Sequence, residues 1–205
     1  MLTSALALPV RTMSRNRRKL PFGSEANVRI AQISLPGALF DNASYLRPSR
    51  LQELALFRPQ VLIGSSEDLR GLALESERNS LKFIDLDRAA FVLTDFRSSL
   101  LDDATRTLLW DAFSVPLYEL VLAEDGALLA FECEAHSGWH LASRVVLSEI
   151  NGAIWYSFRR GPLLATGLTA QIEDRPCDCG RTGRRILNTA LDLRDPLRLK
   201  LANIA

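Results

Sequence analysis

Residues 115–141 read VPLYELVLAEDGALLAFECEAHSGWHL, and the chain changes character inside this stretch. VPLYELVLA is a short apolar run of the kind that a buried strand needs. On its N-terminal side, such runs alternate with helical patterns. On its C-terminal side, from about residue 126, the helical patterns stop and ALLAFECE opens a succession of strands.

Working toward the N-terminus, LLDDATRTLLWDAF (100–113) spaces Leu101, Leu108, Leu109 and Phe113 for one helix face, and AAFVLTDF (89–96) before it reads as a strand. SEDLRGLALESERNS (66–80) begins with Ser66 and acidic residues, which suit a helix N-terminus. QVLIGSS (60–66) is a buried-type strand. RPSRLQELALFRP (47–59) places Leu51, Leu54 and Phe57 at helical spacing, with Ser49 as cap and Pro59 as stop. NVRIAQIS (27–34) is the first strand. Strand alternating with helix predicts right-handed crossovers and a parallel sheet of about three to four strands, covered on both faces.

Toward the C-terminus, HLASRVVLSEI (140–150), GAIWYSF (152–158) and PLLATGLTAQIE (162–173) read as strands, and Asn151-Gly152 is a hairpin signal. The fold class expected is therefore α/β: a parallel sheet with flanking helices, followed by an antiparallel β-rich subdomain. Three regions are expected: a basic, flexible arm over residues 1–24, an α/β subdomain over 25–125 and a β-rich subdomain over 126–205.

With 25 basic and 24 acidic residues in 205, the chain lacks the basic excess of a general nucleic-acid binder. No apolar run approaches the ~18 residues of a membrane span. The cysteine number, three, is odd and too small for a disulfide scaffold. A cytoplasmic location with no nucleic-acid or membrane partner is expected. The arm has no acidic residue before Glu25 and carries Arg11, Arg15, Arg17, Arg18 and Lys19. It reads as a transit peptide, as a disordered basic arm or as the remnant of a longer chain.

All three cysteines and both histidines fall in two windows, FECEAHSGWH (131–140) and PCDCG (176–180). Cys133-x2-His136 and Cys177-x-Cys179 are each a two-ligand bite on a turn, and two bites make a Cys3His tetrahedron suited to structural zinc. Free thiols or a redox pair are the alternatives. His136 is preferred to His140 because it lies in the loop, whereas His140 starts the next strand.

The same residues carry a resemblance. VPLYELVLAEDGALLAFECEAHSGWHL, PCDCGRTGRRI (176–186) and FRPQVLIGSSEDLRGLA (57–73) resemble segments of the phenylacetate–CoA ligase-like branch of the adenylate-forming (AMP-dependent synthetase/ligase) enzymes. ECEAH and CDCGRTGRR are the most specific parts, and the resemblance spans roughly residues 45–187. It implies a partial adenylate-forming fold, with ATP-dependent activation of a carboxylic acid and transfer to a thiol as the ancestral chemistry. It also implies a zinc site at the matching Cys/His positions.

The same resemblance implies what has been lost. The family's glycine-rich phosphate loop has no counterpart; PFGSEAN (21–27) offers one glycine and a carboxylate. The adenine-stacking aromatic is Val121, the following glycine is Leu122, and Glu124 stands where a threonine would contact phosphate. Asp125 alone fits a Mg²⁺-binding carboxylate. The ribose-binding aspartate is Leu168, the family's GGE turn reads Thr94-Asp95-Phe96-Arg97, and the 205 residues hold no counterpart of the lysine-bearing C-terminal domain.

A truncated, degenerate homologue is expected: a pseudoenzyme acting as a binding or interaction module, with no catalytic residues, zinc as structural metal and no functional ATP/Mg²⁺. The alternatives are part of an acyl-CoA ligase completed by another protein chain, or a zinc-stapled protein-interaction domain. The basic turn of Arg181, Arg184 and Arg185 is expected to be salt-bridged to Asp174 or Asp178. Trp110, Trp139 and Trp155 are expected as core residues or partly buried anchors rather than as a stacking platform.

Overall fold

The structure is a computed structural model that describes residues 28–34, 40, 43–46, 51–79, 83, 85–96, 100–123, 125–158 and 161–191. The basic arm, the PFGSEAN segment, Ser49 and Glu124 lie outside the described residues.

The N-terminal half runs β1 (Ile30–Gln32), β2 (Ala43–Tyr45), α1 (Leu51–Phe57), β3 (Val61–Ser65), α2 (Ser66–Arg78), β4 (Ala89–Asp95), α3 (Asp103–Phe113) and β5 (Leu117–Leu122). Its five strands are all parallel, in the order β2-β1-β3-β4-β5. The three-residue edge strand β2 is an addition to the sequence expectation.

Local chemistry sets the helices. Ser65, one residue before the Ser66 expected at the start of α2, caps it by accepting a hydrogen bond from Asp68 N at 3.1 Å. Asp102 does the same for α3, accepting from Thr105 N at 2.6 Å. Leu69, Leu72, Ala73 and Ser76 form the buried face of α2, and Thr105, Leu109 and Phe113 that of α3. Trp110 lies off that face and is 53% exposed, so it is not a core residue.

All three helices pack on one face of the sheet. Leu54, Leu69, Leu72, Leu109 and Phe113 join Leu62, Ala90, Val92 and Leu117 in a single cluster. The expected two-sided helical cover is not found among the described residues. The connections β2→β3→β4→β5 advance across the sheet in one direction, and right-handed crossovers that advance one way put their helices on one side. The opposite cluster is built from strand residues, Ile63, Phe91, Leu93 and Leu120 among them, together with Phe40 from the β1–β2 connection.

The C-terminal half is antiparallel throughout: β6 (Leu128–Glu132), β7 (Trp139–Leu141), β8 (Val145–Ile150), β9 (Ala153–Phe158), β10 (Leu164–Glu173) and β11 (Arg185–Leu191). It continues the same sheet in the order β5-β6-β7-β11-β10-β9-β8. Asn151 and Gly152, both at positive φ, make the β8–β9 turn as expected. HLASRVVLSEI, expected as one strand, is two. A turn closed by Val145 N donating to Ala142 O at 2.9 Å separates β7 from β8, and the two end up at different places in the sheet.

Candidate metal centre

The splitting of that segment builds the site. β7 is inserted between β6 and β11, with Phe131 paired to His140 on one side and Arg185 paired to His140 on the other. Side chains alternate along a strand, so Phe131 and Cys133 share a face, and His140 opposite Phe131 shares it too. The phenyl and imidazole rings stack at 5.7 Å between centroids. The connection from β10 to β11, residues 174–184, ends beside His140 and carries Cys177 and Cys179 there.

Cys133, His140, Cys177 and Cys179 thus converge, each offering one donor atom, with all four atoms within 4.8 Å of one another. Cys133 Sγ lies 3.6 Å from Cys177 Sγ, and Cys179 Sγ lies 3.4 Å from His140 Nε2. A tetrahedron with metal–sulfur bonds of about 2.3 Å and a metal–nitrogen bond of about 2.05 Å has S–S edges near ~3.8 Å and S–N edges near ~3.5 Å. The donor set, its spacing and its burial fit a four-coordinate metal ion of the zinc class. Cys133, Cys177 and His140 are buried and Cys179 is partly exposed.

His136, expected as the fourth ligand, is not in this group, and His140 takes its place. His136 sits at φ 48° in the turn closed by its own N–H donating to Cys133 O at 2.9 Å. Its Nδ1 lies 2.9 Å from Glu132 Oε1, and its ring stacks on Tyr118 at 5.3 Å. Short sequence spacing favoured His136; the cross-strand register favours His140, and the register decides where the ring points.

Hydrogen bonds around the sulfurs differ. Burial alone would raise the Cys177 thiol, but the Ser137 hydroxyl, 3.2 Å away, the Cys179 backbone N–H, the Cys179 thiol and His140 together lower it to about 6. Burial pushes Cys133 up to about 12, and the neighbouring Cys179 and Cys177 add to the rise. The C-x-C turn is closed by Gly180 N donating to Cys177 O at 2.8 Å and Cys177 N donating to Arg181 O at 3.0 Å, with Gly180 at φ 81°. Gly138 has φ 94°, and a Cβ there would lie 2.4 Å from Ile186 O, so β11 packs directly against the loop that follows Cys133.

The basic turn is ion-paired. Arg184 meets Asp174 at 3.0 Å, as expected, while Arg181 meets Glu134 at 3.0 Å and Arg185 meets Glu173. Beside the loop that follows Cys133, Arg106 binds Glu132 at 3.2 Å, and both line an open groove of about 710 Å³ with Trp110 and His136. Sequence reasoning missed this groove, because α3 and β6 meet only through tertiary packing.

At the carboxyl edge of the parallel strands, the end where open α/β sheets bind ligands, Asp95, Phe96, Leu122, Ala123 and Thr166 line a small cavity of about 20 Å³ among the described residues. Val121 and Leu168 are buried in one apolar cluster with Phe96, Leu129 and Ile154. Asp125 Oδ1 accepts from Ala127 N at 3.0 Å, holding its own turn.

No protein-family model matches the sequence, and no curated protein matches it either. Solved structures do resemble it. A 2-hydroxyisobutyryl-CoA ligase in complex with 2-HIB-AMP and CoA superposes with a TM-score of 0.64 at 12% identity, over 82% of this chain and 46% of that one. An acyl-CoA synthetase (AMP-forming)/AMP-acid ligase II-like protein from Dyadobacter fermentans gives 0.52 at 12% identity, over 86% and 55%. The anthranilate CoA ligase AuaEII in complex with anthranoyl-AMP gives 0.55 at 13% identity, over 78% and 39%. The fold is therefore that of part of an AMP-forming ligase, and the chain spans 46% of the 2-hydroxyisobutyryl-CoA ligase.

Proposed function

We propose that this chain is a zinc-stapled part of an adenylate-forming fold, of the phenylacetate–CoA ligase-like branch, that has no ligase activity of its own and acts as a binding or interaction module. The observation that carries this reading is the burial of Val121 and Leu168, 0% and 2% exposed. The resemblance assigns these positions to adenine stacking and ribose binding, and here both are side chains of the core. A buried valine presents no face to a purine, and leucine offers a ribose hydroxyl no acceptor. Asp125 remains as a carboxylate, engaged in capping its turn.

Zinc is the metal proposed for Cys133, His140, Cys177 and Cys179, because three thiolates and one imidazole suit a closed structural site. A zinc–thiolate site fits a reducing compartment, and the cytoplasm is proposed as the location. The test is metal analysis of purified protein together with an assay of acid-dependent pyrophosphate exchange into ATP. One zinc per chain and no exchange support the reading; exchange by the isolated chain, abolished by Asp125→Ala, would overturn the inactive assignment.

A second reading has one specific observation in its favour. The chain spans less than half of some of the ligases it resembles, so a separate chain bearing the phosphate loop and lysine domain could complete an acyl-CoA ligase. Exchange activity that appears only on mixing with such a chain would favour it.

A further inference from the structure

Arg185 is a buried guanidinium, 6% exposed, at the first position of β11. It pairs with the Glu173 carboxylate and donates from Nη1 to Ser137 O at 3.1 Å and to Ser137 Oγ at 2.7 Å. Ser137 Oγ lies 3.2 Å from Cys177 Sγ. Guanidinium has donors only, so the Ser137 oxygen must accept from it. The single hydroxyl proton is then left over, and the sulfur is the partner within reach. The four donors of the cluster are Cys133, His140, Cys177 and Cys179, and the chain Glu173–Arg185–Ser137–Cys177 runs unbroken from β10 to one of them.

We propose that Ser137, oriented by Arg185, is a positioning residue that donates a hydrogen bond to the metal-bound Cys177 thiolate and sets the affinity and electronic character of the site. The proposal rests on the metal reading above and deepens it. A Cys3His site around a divalent ion carries a net charge of about −1, the sum of three thiolates, one neutral imidazole and M²⁺. Burying such a charge is costly unless donors and cations compensate it. The hydroxyl supplies a donor at the sulfur, and Arg185 supplies a fixed cation one bond behind it. Gly138 reinforces the arrangement, because its lack of a side chain lets the loop lie against β11 and so fixes Ser137 over Arg185. Such outer partners of metal ligands are commonly worth 10–100-fold in affinity.

The test uses the full chain with cobalt(II) as a spectroscopic probe and zinc competition against a chromophoric chelator. Ser137→Ala is expected to weaken zinc binding about 10-fold or more. It is also expected to shift the sulfur-to-cobalt charge-transfer bands to lower energy, because a thiolate that loses a hydrogen bond is more easily ionised. Ser137→Thr, which keeps the hydroxyl, is expected to restore both readouts. Arg185→Lys should move both in the same direction as Ser137→Ala, with no further shift when the two are combined, as residues acting through one another are non-additive.

An unshifted cobalt spectrum in Ser137→Ala would overturn the role of Ser137. Additive effects in the double variant would overturn the relay from Arg185 while leaving Ser137 in place. Failure of the wild-type chain to bind either ion would overturn the metal reading itself and the relay with it, an outcome distinct from wild-type binding that Ser137→Ala leaves unchanged.

Discussion

At the scale of single residues, two histidines four positions apart in one segment divide between two roles. His140 is held by a strand pair and faces three sulfurs; His136 occupies a left-handed turn and meets Glu132 and Tyr118. His140→Ala is expected to abolish stoichiometric zinc binding, and His136→Ala to leave it within about twofold, by metal titration. The opposite ranking would return the fourth ligand to the loop. The thiols add a pH dependence whose sign can be worked out. Cys177 is lowered to about 6, so metal-free protein holds the stability from that thiolate above the unfolded value and loses it as pH falls through about 6. Zinc competes with protons for the same sulfur. The slope of log affinity against pH should therefore steepen by one proton as pH drops below about 6, and by none at that point in Cys177→Ser.

At the scale of elements, the site stands on two hairpins brought together by β7 and β11, a pairing between residues 139–140 and 185–186. Here the sequence is legible only in part. Asn151-Gly152 announces its turn through φ alone, and the runs in β3, β4 and β5 announce strands through hydrophobicity, because these are local properties. The break at Ala142–Arg144 contains no glycine, proline or asparagine, so HLASRVVLSEI looks continuous, and nothing local indicates that β7 will pair with a strand more than forty positions away. The choice of His140 depends on that break. The convergence of both cysteine windows was readable from composition; the fourth ligand required register. The pairing also has a testable weak point. Gly138→Ala must place a methyl group 2.4 Å from Ile186 O at φ 94°, a conformation that costs about 1–3 kcal/mol from the backbone alone. Urea unfolding at fixed zinc should show at least that loss, and Cys179→Ser should lower the melting temperature in zinc-loaded protein while changing little in chelator.

At the scale of the whole molecule, the eleven strands of the described residues form one sheet that joins a parallel half to an antiparallel half between β5 and β6. In an open α/β sheet, ligands gather at the carboxyl ends of the parallel strands. Beside that edge, among the described residues, Phe96, Leu122 and Leu129 meet Tyr156 from the antiparallel half around a space of about 20 Å³, about enough for one water molecule. The two halves are thus packed together there through one apolar cluster, with Phe96 and Val121 from the parallel half and Leu129, Ile154 and Tyr156 from the antiparallel half. Adenylyl transfer depends on preorganised groups around the phosphates, and removing one such donor commonly costs ~10²–10³ in rate. On the proposed reading, buried Val121 and Leu168 stand where the resemblance places adenine stacking and ribose contacts. The purified chain is therefore expected to bind ATP no more tightly than millimolar in calorimetry, with or without Mg²⁺, and to exchange no pyrophosphate in the presence of aryl or acyl acids. Restoring a single group should not rescue it. Leu168→Asp would bury a carboxylate among Ile154, Leu129 and Ile186 without a cation, and is expected to destabilise the fold by several kcal/mol rather than create a ribose contact. A Leu168→Asp variant that kept its melting temperature and gained micromolar ATP affinity would mean that the edge opens in solution, and the inactive reading would then give way to that of a ligase half awaiting its complement.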